Sequence, residues 1–281
     1  MSVAVVVDSA ASLPAALAEQ HRIVVVPMAV IIDDEIRPDS SVPMAELLAQ
    51  LATGHVSTSG PAPGAFAAAI EETRRVADEV LVLTLSAEMS STCSSAELAA
   101  QLEPGSVRVV DTRTAAGGEG LVALAAARRA LDGGDLDEVE ATARGVIERV
   151  HLIATLDDLD HLVRSGRVPN LARRAANALN AKPLFEFHDG TAHALAPAHG
   201  GRAARRHIVE RCLADRPTDG PARLHLAVLD AGDPERTRQL LDQVLAEEPD
   251  ADWFIGSFGP VMIVHVGPGV SGLAWWWEPT S

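Results

Sequence analysis

The side chains best suited to chemistry fall at three places along the 281 residues. The first is Leu85-Ser-Ala-Glu-Met-Ser90-Ser91-Thr92-Cys93-Ser94-Ser95, where the buried-strand pattern Val80–Leu85 gives way to a hydroxyl-rich turn and then to a helix. Backbone N–H groups at a helix N-terminus are unpaired and partly positive, so hydroxyls there either cap the helix or help hold an anion. The second is Val56-Ser57-Thr58-Ser59-Gly60-Pro61-Ala62-Pro63-Gly64, which reads as a Pro/Gly loop with a cap or as a second hydroxyl patch. The third is His265, inside Val261-Met-Ile-Val-His-Val-Gly-Pro-Gly269, a pattern that reads as an apolar strand. A histidine there is either a hydrogen-bonded core residue or a functional imidazole. Together the three places supply hydroxyls and an imidazole suited to a carboxylate or a phosphate, with no metal and no lysine required.

Several motifs mislead. Gly267-Pro-Gly-Val-Ser-Gly272 matches the dinucleotide fingerprint, but the nine residues after Gly272 leave no room for the helix, strand and ribose-binding acid that give the motif its mechanism. Gly117-Gly-Glu-Gly120 lacks the lysine and hydroxyl of a phosphate-binding loop, and the chain's one lysine, Lys182, precedes a proline far away. An ATP site is not expected on this chain. No G-x-S-x-G elbow occurs, which speaks against an α/β-hydrolase, although a serine and a histidine brought together in space would still form a pair. Cys93 and Cys212 have no partners at metal-ligand or disulfide-framework spacing, so a reduced, cytoplasmic protein without metal is expected.

These residues must be positioned by a scaffold, and composition bounds what it is. With 23 basic against 39 acidic side chains the net charge is −16, which disfavours nucleic acid as a partner. Hydrophobic residues make up 47% of the chain, enough to bury a large core rather than stay disordered. The longest early apolar run, Ile23–Ile32, contains Pro27 and is far short of the ~20 residues of a membrane span. Up to about residue 150, short β-branched runs (Val3–Val7, Ile23–Met28, Val80–Leu85, Val107–Val110) alternate with alanine-rich helical stretches, the pattern of a doubly wound, mainly parallel α/β sheet. Beyond it come helical pieces at Leu156–Val163 and Leu171–Leu179 and an Asp-Gly hairpin between Leu184–Phe187 and Thr191–Leu195. Helices follow at Gly201–Leu213 and Pro234–Leu245, with strands at Leu224–Leu229, Trp253–Phe258, Val261–Val266 and Leu273–Trp277. The last three are close enough to favour antiparallel pairing. Two domains are expected, 1–150 α/β and 151–281 α+β with a mixed or antiparallel sheet.

In this order the sequence resembles the DegV fatty-acid-binding family. Val7-Asp-Ser-Ala-Ala-Ser-Leu13 is similar to its D-S-T-x-D-L turn, Thr58-Ser-Gly-Pro-Ala-Pro-Gly-Ala-Phe66 to T-S-Q-P-S-P-G-E-F, and Leu85–Ala96 to L-S-S-K-L-S-G-T-Y-Q-S-A. Ser165-Gly-Arg-Val168 resembles the end of Y-L-x-K-G-G-R-I, Leu179–Leu184 resembles L-L-x-I-K-P-I, and Gly259–Gly269 resembles G-P-V-I-x-x-H-x-G-P-G. The resemblance implies two domains enclosing one long-chain fatty acid, its carboxylate bound by Thr58, Ser90 and His265, with Ser59, Ser91 and Thr92 in the neighbouring turns. It also implies a carrier rather than an enzyme, without a cofactor, that presents the acid to an ATP-dependent fatty-acid kinase; Arg167 and Arg202 are the expected partner or phosphate contacts. The sequence departs from the pattern at Ser91 (usually glycine), Cys93 (usually aromatic) and Gly60 (usually polar), and Ala198-His-Gly-Gly-Arg202 keeps only the last arginine of an R-G-R run.

Two other functions compete. One is a hydrolase of acyl esters or acyl phosphates using Ser90 or Thr58 with His265 as base and Asp8 or Asp111 as the orienting acid. The other is a regulatory or scaffold protein in which lipid plugs the interdomain space.

Overall fold

The computed structural model of the protein describes residues 2–157, 160–166 and 181–280. The first half runs β1 (Val3–Asp8), α1 (Ala15–Gln20), β2 (Ile23–Val26), β3 (Ala29–Ile32), β4 (Glu35–Pro38), α2 (Met44–Thr53), β5 (Val56–Ser59), α3 (Pro63–Thr73), β6 (Glu79–Thr84), α4 (Thr92–Ala100), β7 (Val107–Asp111), α5 (Gly117–Leu131) and α6 (Leu136–Ile147). The second runs β8 (His151–Thr155), α7 (Asp160–Ser165), β9 (Ala181–Lys182), β10 (Leu184–His188), β11 (Thr191–Ala194), β12 (Ala198–His199), α8 (Gly201–Ala214), β13 (Ala222–Asp230), α9 (Pro234–Leu245), β14 (Asp252–Ser257), α10 (Pro260–Val266) and β15 (Ser271–Pro279).

The expected α/β architecture is present. Strands β2-β1-β6-β7 form a wholly parallel sheet. Period-two alternation sends Val6, Val80 and Val82 to one face, packed against Phe66 and Ile70 of α3 and Ala96 and Ala99 of α4. Val5, Val7, Leu81 and Leu83 face the opposite way, toward α5. A six-stranded mixed sheet, β11-β10-β8-β15-β13-β14, carries α8 and α9 over one face and meets α5 with the other. The α5 helix thus serves both sheets, and small residues let it. A Cβ at Gly117 would stand 2.6 Å from the Ala227 Cβ, and one at Gly120 would stand 2.7 Å from the Ala11 carbonyl oxygen.

Three expectations fail. Val261–Val266 is a helix, α10, and not a strand. Pro260 at its first turn and Gly267 at φ 79° after its end are start and stop signals that outweigh an apolar run too short to show a period. Those two glycines of the false dinucleotide fingerprint serve as a turn: Gly267 and Gly269 both take positive φ, and a Cβ on Gly267 would lie 2.8 Å from the His161 ring. Second, β14 is parallel to β13, with α9 as the crossover, while β15 is antiparallel to β13. Third, the segment Val56–Gly64, read as a Pro/Gly loop, begins as β5, which pairs with β3 in a three-stranded antiparallel sheet β4-β3-β5. The helix expected at Leu171–Leu179 lies outside the described residues.

Beneath the turn that follows β6, two carboxyls are fully buried. Asp8, at the end of β1, accepts from the backbone N–H groups of Leu85 and Ala10, each at 2.9 Å. Glu119 of α5 is met by no N–H or O–H donor among the described residues, and faces the Asp8 carboxyl instead. Two carboxylates cannot share a dry site unless one keeps its proton. Desolvation lifts Asp8 to about 6 and, together with the charge of Asp8, raises Glu119 well above the usual range, so Glu119 is the group that stays protonated and donates to Asp8.

A carboxyl whose folded pKa is raised favours the folded state below its unfolded value and loses that advantage as pH rises through the folded value. For Asp8 the window runs from 3.8 to about 6, and Glu119 extends it upward. Glu119→Gln is therefore expected to stabilise the protein by about 1–3 kcal/mol near neutral pH, the gain shrinking as pH falls. Urea unfolding across that range checks it; a variant less stable than the parent at every pH refutes the shared proton.

Candidate functional site

The turn after β6 is fixed from several sides. The Ser86 N–H donates to the Thr114 carbonyl at 2.8 Å, and the Ala87 N–H donates to Asp111 Oδ1 at 3.2 Å. The Ser86 hydroxyl donates to the Gly190 carbonyl at 2.6 Å, which ties the turn to the tip of the β10–β11 hairpin. So held, the turn delivers Ser90 half-buried at the start of α4. Its Oγ accepts from the Thr92 N–H at 3.2 Å and pairs with the buried Thr92 hydroxyl at 2.8 Å. Ser90, and not the N-cap residue Ser91, therefore supplies the capping bond.

Thr58 approaches from β5, held in register by pairing with Val30 of β3. His265 approaches from the last turn of α10, which packs on β3, β5, α2 and α7. Their side chains meet: Thr58 Oγ1 and His265 Nε2 are 2.7 Å apart, a bond between residues 207 positions apart in the chain. Gly60 brings β5 and α4 together. A Cβ there would lie 2.5 Å from Thr92 Oγ1 and 3.4 Å from Ser90 Oγ, so any side chain at this position requires the Thr92 hydroxyl to shift.

Thr58, Ser59, Ser90, Ser91 and His265 line one cavity of about 270 Å³. Thr92 stands behind Ser90, bonded to it. Arg202 is exposed on the first turn of α8 and does not line the cavity; Arg167 lies outside the described residues. Apart from the polar groups the walls are apolar and come from both halves of the chain: Met28, Leu85, Met89 and Ala115 from the first, Leu152, Phe185, Phe187 and Phe258 from the second. Sequence reading missed these wall residues, though Phe185 and Phe187 show the period-two alternation that marks one face of a strand. Thr58, Ser165 and His265 also line a second pocket, a vestibule of about 400 Å³ whose wall includes His55, Ser57, His161 and Arg164, with no carboxylate among its described lining residues. Cys93, beside the site, is buried, and burial raises its thiol, so it is no ready nucleophile. No helix among the described residues is long and apolar enough to cross a membrane.

The DegV family model, whose description reads uncharacterised protein, DegV family, matches residues 2–278. A DegV domain-containing protein of Streptomyces coelicolor is 36% identical over 280 residues, 96% of this chain and 97% of that one. Among solved structures, a DegV family protein of Thermus thermophilus described by its fatty acid binding superposes with a TM-score of 0.92 at 30% identity, covering 98% of this chain and 99% of that one. A DegV family protein of Ruminococcus gnavus, solved in connection with vaccenic acid, gives 0.86 at 27% identity over 98% and 99% of the two chains.

The tight approach at Gly60 makes a testable contrast within one short segment. Gly60→Ala drives a methyl into the Ser90–Thr92 pair and is expected to cost about 1–3 kcal/mol. Gly64→Ala, where nothing stands within 4 Å, is expected to be neutral or stabilising by up to about 1 kcal/mol in α3. Denaturant unfolding of both variants checks the pair, and equal effects would show that β5 does not press on α4.

Proposed function

The chain belongs to the DegV family, and from that premise we propose that it binds a long-chain fatty acid, acyl chain in the apolar cavity and carboxylate on Thr58, Ser90 and His265. The observation that carries this is the Thr58–His265 bond standing beside Ser90 in an otherwise apolar cavity. Burying a carboxylate is costly unless donors meet it, and hydrogen bonds to an ionised acceptor are the stronger kind. The contacts around the two hydroxyls suggest how donors are made ready. If His265 carries its proton on Nε2 it donates to Thr58 Oγ1, leaving the threonine proton for the ligand. If the Thr92 hydroxyl donates to Ser90 Oγ, the serine proton is free in the same way. Thr58 and Ser90 then touch the carboxylate, and His265 and Thr92 orient them. Each methylene buried behind adds about 0.8 kcal/mol, and Met28, Met89 and Met262 give the wall the adaptability that a flexible chain needs.

In this reading the protein is a carrier. The vestibule that Thr58 and His265 also line, with His55, His161 and Arg164 on its wall, is the face at which a partner that consumes the carboxylate, such as an ATP-dependent fatty-acid kinase, gains access. Arg202 on α8 is exposed and lines neither the cavity nor the vestibule, so it fits a docking contact better than a ligand contact. The hydrolase alternative needs an acid to orient His265, and both named candidates are engaged elsewhere: Asp8 with Leu85, Ala10 and Glu119, and Asp111 with the N–H groups of Ala87 and Arg113.

Native mass spectrometry of protein purified from cells is expected to show added mass in the fatty-acid range. Thr58→Val and Ser90→Ala are each expected to weaken palmitate or oleate binding about tenfold, the loss of one hydrogen bond to a charged group. Protein that is uniformly empty and ignores both acids would overturn the proposal, and ester hydrolysis that disappears in Ser90→Ala would favour the hydrolase.

A further inference from the structure

We propose that Phe187 is the end wall of the acyl cavity and sets the length of chain the protein accepts. The inference rests on the fatty-acid reading and goes beyond it by naming a specificity-determining residue.

Phe187 occupies a position no other lining residue shares. It lines the 270 Å³ cavity and also a separate outer groove of about 490 Å³ whose remaining wall is mostly charged, with Arg113, Arg144, Glu148 and Asp189 beside the aliphatic Ile147 and Val150. Among the described residues it is the one side chain common to both, so its ring is the partition between them. Strand register makes the partition a layer: Phe187 pairs with Leu152 of β8 on one side and with Ala192 of β11 on the other, and all three line the cavity. The layer is anchored where the hairpin turns, by the Ser86–Gly190 bond and by the Arg113–Asp189 ion pair at 3.1 Å. The ring is therefore held against the cavity and is 8% exposed.

The partition is also at the right end. Along β8, Leu152 and Thr155 stand about 10 Å apart. The Thr155 end leads to α7, whose Leu162 and Ser165 share the cavity with His265. The opposite end adjoins Val150 and His151 in the outer groove. Polar head and aromatic wall are thus separated along the strand direction, and a chain anchored at Thr58 and Ser90 runs toward Phe187. A 270 Å³ cavity is near the small limit of ligand pockets, about 300 Å³. Little slack remains, so the last carbons of a long chain press on this ring.

The test is a set of dissociation constants for even-numbered saturated acids from dodecanoate to eicosanoate, measured on the full chain. Phe187→Ala removes the volume of the ring at the end of the cavity, on the side where Ile147 and Val150 are the apolar residues of the groove, and is expected to move the optimum longer by roughly two to four carbons. Ala192→Leu fills the same layer and is expected to move it shorter. Phe187→Leu carries the first arm if the alanine variant does not fold. Folded variants that keep the parent's optimum overturn the role of Phe187 while leaving fatty-acid binding standing. A parent that binds no acid of any length overturns both.

Discussion

An anion taken into an apolar cavity loses its water, and the loss must be met by donors already aimed at it. In the proposed function that constraint falls on the hydrogen bond between Thr58 and His265. One partner rides on the edge of a small antiparallel sheet and the other on the last turn of a short helix near the C-terminus. Neither has a reason to meet the other from its local sequence. The contacts that bring them together are those of α10 with β3, β5 and α2, and that helix is itself held by buried Val261, Ile263 and Val266.

The third polar group, Ser90, depends on a different chain of support. Asp8 at the end of β1 takes the Leu85 N–H, Asp111 at the end of β7 takes the Ala87 N–H, and the hairpin takes the Ser86 hydroxyl. Three strand ends thus shape one turn at the carboxyl edge of a parallel sheet, where ligands gather in open α/β folds. Glu119 of α5 faces the same Asp8 carboxyl that takes the Leu85 N–H, and burial with the charge of Asp8 raises it, so a residue on α5 bears on a turn two elements away.

Much of this was legible in the sequence. The alternation of β-branched and alanine-rich stretches gives the parallel sheet, Asp189-Gly190 gives the hairpin, and the motif order gives the family. What was not legible had short-range signals in conflict with long-range ones. Val261–Val266 is too short and too uniformly apolar to show a period, so its β-branched content reads as strand, although Pro260 and Gly267 mark a helix. Ser57-Thr58-Ser59 reads as loop because it is polar, yet its pairing with β3 makes it a strand and aims Thr58 at His265. The apolar wall was hidden for a further reason. Leu152, Phe185 and Phe258 look like any core residues, and only the tertiary arrangement distinguishes a wall from a core.

The most direct test of the central claim is a crystal structure of the protein with oleate bound. The carboxylate is expected within hydrogen-bonding distance of both Thr58 Oγ1 and Ser90 Oγ, with the chain directed toward Phe187. An acyl chain lying outside this cavity, or a carboxylate at the Phe187 end with Thr58 and His265 still bonded only to each other, would contradict it.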